Sequence, residues 1–155
     1  MIRIKPFRQT AGFCGPSSLK MVLYYYGVSV AESALAKAAG ASRKKGASKE
    51  GLAKAARHFG FKVFSKEKSS LGDLRRFIKR GVPVIVDWFF EDDGHYSVAV
   101  DINQKEITLM DPFLGEERKM SLERFTRLWF DFPGKAVKEP KDLVLRLMMA
   151  VTPRD

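Results

Sequence analysis

The chain has one cysteine, Cys14, and two histidines, His58 and His95, so any thiol or imidazole chemistry must be assembled from these three residues. A lone cysteine forms no internal disulfide, and the zinc-ligand spacings built on paired cysteines are excluded. Cys14 stands in Gly12-Phe13-Cys14-Gly15-Pro16, just ahead of Leu19, Val22, Leu23 and Tyr26, which recur at helical spacing. A thiol at a helix start faces unpaired N–H groups and the positive end of the macrodipole, which favour a thiolate able to attack carbonyl carbon. The expectation is a depressed thiol pKa; the alternative is a buried cysteine that only packs. Gln9, five residues earlier, could aim its side-chain N–H at the carbonyl that the Cys14 backbone N–H contacts, forming an oxyanion hole. The alternative for Gln9 is a solvent-facing loop residue.

A general base is the second requirement. His95 follows Glu91-Asp92-Asp93-Gly94 and leads the apolar run Tyr96 to Val100, so it sits at a strand start. If Asn103 and Gln104 turn a hairpin, Ile102 pairs with Lys105 and His95 lies opposite Pro112. A slip of one residue puts it opposite Asp111, at cross-strand contact distance. A carboxylate there can hold one ring nitrogen of His95 and leave the other to exchange a proton with the thiol. Asp111 before Pro112 could instead only initiate a turn. His58, near the end of an amphipathic stretch, suits a structural role at a helix C-terminus. Asp87, Asp92 and Asp93 have no direction fixed by the sequence and are left outside the candidate set.

These residues need elements to position them. Helices are expected over Cys14 to Tyr26, Val30 to Ala39, from an N-cap at Ser48 to Phe59, and Leu71 to Arg80, with Gly27, Gly40, Gly60 and Gly81 as stops. Phe61 to Ser65 alternates as a short strand. After Gly81 the β-branched and aromatic runs Val82 to Phe90, Tyr96 to Val100, Ile107 to Met110 and Leu143 to Val151 read as strands. A helix from about Leu122 to Phe130 and a loop from Asp131 to Lys141 separate the last two. Helices first and strands afterwards describe an α+β domain with N-terminal helices packed on a mostly antiparallel sheet.

At 155 residues, with 45% hydrophobic and 30% charged residues, the chain is expected to form a single domain over residues 1–155 with its own core. No run approaches the roughly 20 apolar residues of a membrane helix, and Met1 to Phe7 lacks a signal-peptide pattern; a cytoplasmic location is expected. The net charge of +10 favours anionic partners without choosing among them. Its one compact cluster is Ser42-Arg43-Lys44-Lys45-Gly46. No cofactor or metal is implied.

Taken together, Gln9 to Leu19 with Met21 to Gly27, then Gly46-Ala47-Ser48, Gly94-His95-Tyr96-Ser97-Val98 and Asp111-Pro112-Phe113-Leu114-Gly115 resemble the bacteriocin-processing, double-glycine-leader cysteine peptidases. That family has a papain-like fold, and the resemblance covers about residues 5 to 130. It implies a nucleophile at Cys14, a general base at His95, an orienting aspartate at Asp111, an oxyanion-hole glutamine at Gln9 and a recognition element around Gly46 to Ser48. Members fused to export transporters typically carry an aspartate before the nucleophile and one more residue between it and the glutamine. Phe13 and the shorter interval here resemble the stand-alone branch, with a peptide or protein as substrate. The same constellation could serve an amidase, deamidase or acyltransferase, and the basic charge suits a non-catalytic module gripping nucleic acid. Oligomeric state is not legible.

Overall fold

A computed structural model describes residues 1–155. The first helix, α1 (Cys14–Tyr25), begins without a side-chain cap, and its first turns are buried: Gly15, Pro16, Ser17, Ser18 and Leu19 all lie inside. Helix α2 (Glu32–Ala39) ends on Gly40 in the left-handed conformation and starts two residues later than expected. Ser48 Oγ accepts the Gly51 N–H at 3.0 Å to open α3 (Lys49–His58), as its N-cap position predicts. Strand β1 (Phe61–Lys66) follows, then α4 (Leu71–Lys79), begun by a reciprocal capping box between Ser70 and Asp73.

Strands β2 (Val84–Phe90), β3 (Asp93–Ile102), β4 (Glu106–Asp111) and β5 (Glu116–Ser121) form a meander. After α5 (Leu122–Leu128) come the two-residue strands β6 (Phe130–Asp131) and β7 (Val144–Leu145), paired to each other, and β8 (Met148–Pro153). The six-stranded sheet runs β1-β8-β2-β3-β4-β5, antiparallel throughout. A continuous cluster of 33 buried residues, drawing on α1 to α5 and on strands of the large sheet, fixes the helices against it. This is the expected α+β architecture. No helix is long and apolar enough to cross a membrane.

Three local expectations change. Strand β5 was not anticipated, because Glu116-Glu117-Arg118-Lys119 is polar and mostly exposed along the sheet edge, where charged residues protect an unpaired side. The strand expected over Leu143 to Val151 breaks at Arg146, whose φ of 47° divides it into β7 and β8. The β3–β4 register also differs. Asn103 Oδ1 accepts the N–H groups of both Lys105 and Glu106 at 2.7 Å, closing a wider turn in which Ile102 faces Ile107, and a bulge between Ala99 and Asp101 shifts the ladder once more. Past the bulge Val98 faces Met110, so Asp111 is level with Ser97 and His95 with Phe113.

Candidate functional site

Cys14 is delivered by the tight seating of α1. A Cβ on Gly15 would touch Leu52 Cδ2 at 3.1 Å and Tyr96 Cδ2 at 3.3 Å, so the bare glycine lets the helix start approach both α3 and β3. The Tyr96 N–H accordingly donates to Cys14 Sγ at 3.5 Å. The Cys14 N–H has no acceptor within the protein.

Gly12, at φ +83°, lies against the backbone of Arg43, and a Cβ there would collide with the Arg43 carbonyl. The basic turn is thereby seated on the segment leading into Cys14. It is closed by Ser42 N to Gly46 O at 3.2 Å and Gly46 N to Ser42 O at 2.7 Å, and its Arg43, Lys44 and Lys45 are exposed. Gly12→Ala combines a left-handed φ with this collision, so it should lower stability by about 2–3 kcal/mol, readable as a reduced midpoint in urea denaturation.

His95 and Asp111 are buried, at 5% and 0% exposure. The diagonal register does not separate them, because His95 Nε2 and Asp111 Oδ1 are 2.6 Å apart; diagonal neighbours remain within reach of long side chains. That bond leaves Nδ1 as the free ring nitrogen. Asp111 Oδ1 also accepts the Phe113 N–H at 2.9 Å, and Oδ2 accepts Arg118 Nε at 2.6 Å. Burial alone would raise the Asp111 pKa, but the hydrogen bonds and charges of His95, Arg118 and the Phe113 amide hold it below the usual carboxylate range.

Arg118 is a residue that sequence reasoning missed. Its guanidinium carbon lies 4.7 Å from the Phe90 ring centre and 5.6 Å from that of Trp88, a cation–π setting. Trp88, Phe90 and Phe113 in turn surround the imidazole, with ring centres 5.6, 5.2 and 6.3 Å from it. Trp88 is itself anchored by Nε1 donating to Ser97 Oγ at 3.0 Å. The available signal for Arg118 was the turn Pro112 to Gly115, which folds a following strand back beside Asp111.

Gln9 is tied to the same end of the sheet, its N–H donating to Pro112 O at 2.8 Å. Its side-chain Nε2 donates to Thr10 O across a long 3.4 Å, while Oε1 is buried without a partner. The structure therefore brings His95, Asp111 and the Gln9 backbone together and sets the sulfur against the amide adjoining His95. It forms no direct hydrogen bond between Sγ and the imidazole. His58 ends α3, edge-on to Phe59, in keeping with a structural role.

The expected thiol acidity is reversed. Although Cys14 as a residue is only partly buried, its sulfur is desolvated deeply enough to push the thiol up to about 12. The Tyr96 and Gly15 amides oppose this, and Asp87 and Asp93 reinforce it. Burial thus favours the neutral thiol over the thiolate.

The peptidase C39 family model matches residues 7–132. An uncharacterized protein of Methanothermobacter marburgensis is 34% identical over 116 residues, covering 72% of this chain and 73% of its own length. Among solved structures, the peptidase domain of Streptococcus ComA, a bi-functional ABC transporter involved in quorum sensing, superposes with a TM-score of 0.74 at 22% identity, over 99% of this chain and 100% of that one. A double-glycine-motif protease from an AMS/PCAT transporter, solved with its leader peptide, also has a TM-score of 0.74, at 24% identity over 99% of this chain and 94% of that one.

Proposed function

Since the chain belongs to the peptidase C39 family of cysteine peptidases, we propose that it hydrolyses peptide bonds with Cys14 as nucleophile, His95 as general base and acid, Asp111 as the group orienting His95, and Gln9 in the oxyanion hole. The observation that carries this reading is the continuous chain Arg118–Asp111–His95, ending one residue from the amide that touches Cys14 Sγ.

Sγ adds to the scissile carbonyl carbon while its proton passes to His95 Nδ1. The oxyanion is received by the free Cys14 N–H and by Gln9 Nε2, which exchanges its weak bond to Thr10 for a better acceptor. Asp111 holds Nε2–H and stabilises the imidazolium, which then protonates the departing amine as the C–N bond breaks. Water attacks the thioester, its proton goes to His95, and the carboxylate product leaves as the thiol is restored. Because the resting thiol is neutral, proton transfer and attack are coupled, which makes the placement of His95 the controlling requirement.

A double-glycine peptidase reading makes a peptide or protein the substrate. The test is incubation with peptide libraries and with double-glycine leader peptides, read by mass spectrometry. Cleavage by the native chain and none by Cys14→Ala is expected. A deamidation shift on glutamine peptides without cleavage would move the assignment to an amidase, and neither product with intact Cys14 would remove the hydrolase reading.

A further inference from the structure

Successive residues of a strand point to opposite faces, so Asp87, paired with Tyr96, shares the face opposite to that of Trp88 and His95. This is the face on which α1 sits, since the Tyr96 ring lies beside Gly15. Asp87 is 4% exposed, and its Oδ1 has no hydrogen-bond partner. Strand β6 brings a second acid to the same face: the Asp131 carboxylate lies directly over Gly94, where any Cβ would collide with it. Phe130 and Phe132, on either side of Asp131, stack on Phe89 with ring centres 5.0 and 5.3 Å away. This clamp holds Asp131 on the face of the sheet that carries Asp87, where the two carboxyl groups influence each other's protonation.

We propose that Asp87 and Asp131 form a carboxyl pair holding one proton behind Cys14, and that the pair is a positioning device for the nucleophile that sets the alkaline limit of its reaction. The proposal rests on Cys14 being the reacting thiol, as assigned above. Two desolvated carboxylates side by side cannot both ionise cheaply, and no lysine or arginine forms an ion pair with Asp87, Asp93 or Asp131. The titratable groups around the pair are Cys14 from α1, Asp93 and Tyr96 from β3, and, beyond Tyr96, Glu50 from α3. Burial first, then the Asp131 carboxyl, pushes Asp87 well above the ordinary carboxylate range. With the proton in place the pair carries one negative charge. Its loss at alkaline pH adds a second charge behind the sulfur, which opposes the thiolate character that develops during attack.

The test is the rate of Cys14 alkylation by iodoacetamide in the full chain from about pH 6 to about pH 11. Wild type is compared with Asp87→Asn, Asp131→Asn and the exposed control Asp92→Asn. Wild type should rise with pH and then flatten where the pair loses its proton, since the added charge pushes the thiol further up. Asp87→Asn keeps a donor to Asp131 but has no proton to lose there. It should follow wild type at neutral pH, rise without the flattening, and react roughly tenfold faster at the alkaline end, the equivalent of about one pH unit. Asp131→Asn should move the same way, and Asp92→Asn should follow wild type. An unchanged profile in Asp87→Asn, or an equal shift in Asp92→Asn, overturns the proposal. Should the variants misfold, the infrared carbonyl band of a protonated carboxylic acid in wild type at neutral pH decides alone, since its absence overturns the shared proton. Alkylation reads the thiol without any substrate, so failure of peptide cleavage leaves this result standing, and the reverse also holds.

Discussion

Cys14→Ala should lower the rate of peptide cleavage by at least about 10⁴-fold while leaving the fold intact, and His95→Ala should cost nearly as much. If Cys14 is the nucleophile proposed above, its removal eliminates the thioester pathway and leaves only binding and oxyanion stabilisation. In the proposed mechanism His95 matters as much, because burial pushes the thiol up to about 12 and a sulfur that does not ionise by itself needs an acceptor for its proton at the moment of attack. The two losses should not multiply. The double variant should be no slower than the worse single variant, as is normal for residues acting as one unit. Cys14 is only partly buried, and truncating one sulfur at the helix start should change stability little. Single-turnover kinetics on a cleaved peptide, with circular dichroism as the fold control, check both expectations; additive losses would mean that the two residues act in separate steps.

The second large effect falls on stability as well as rate. Asp111→Ala removes an inaccessible carboxylate that accepts from His95, Arg118 and the Phe113 amide. The variant strands the Arg118 charge and frees the imidazole to rotate. Breaking a buried ionic network from one side costs about 3–5 kcal/mol, and an unoriented histidine should lower the rate by about 10²–10⁴-fold. The pH dependence follows from the direction of the shift. A carboxyl held below its unfolded value contributes stability above that value, near pH 3.9, and loses it as pH falls through the folded pKa. Urea denaturation at neutral and acidic pH should therefore show the wild type and Asp111→Ala converging on acidification. A constant gap between them would mean that Asp111 acts by volume and not by charge.

How much of this was legible in the sequence varies by element. Helix starts and stops were read well where local chemistry decides them, as at the Ser48 cap and the left-handed Gly40. The candidate residues could be singled out because a lone thiol, one histidine in an apolar run and one aspartate before a proline leave few combinations. Their register was misread because Asn103 uses its side chain to widen a turn and a bulge follows, and neither leaves a mark in hydrophobic alternation. Arg118 was missed for a related reason. The strand carrying it is polar and lies at an edge, so neither period nor apolarity announces it. The thiol acidity was misjudged because helix position is local, whereas desolvation and the Asp87 carboxyl arrive from distant parts of the chain.

The edge position of β5 reaches beyond topology. Four of its six residues are exposed, and marginal segments fray before a protein's centre melts. Arg118 rides on that border while its ion partner Asp111 lies wholly inside. Warming the molecule would therefore unhook the guanidinium first and slacken the histidine's alignment while the helices and inner strands still hold their shape. The working arrangement is thus more fragile than the scaffold that carries it.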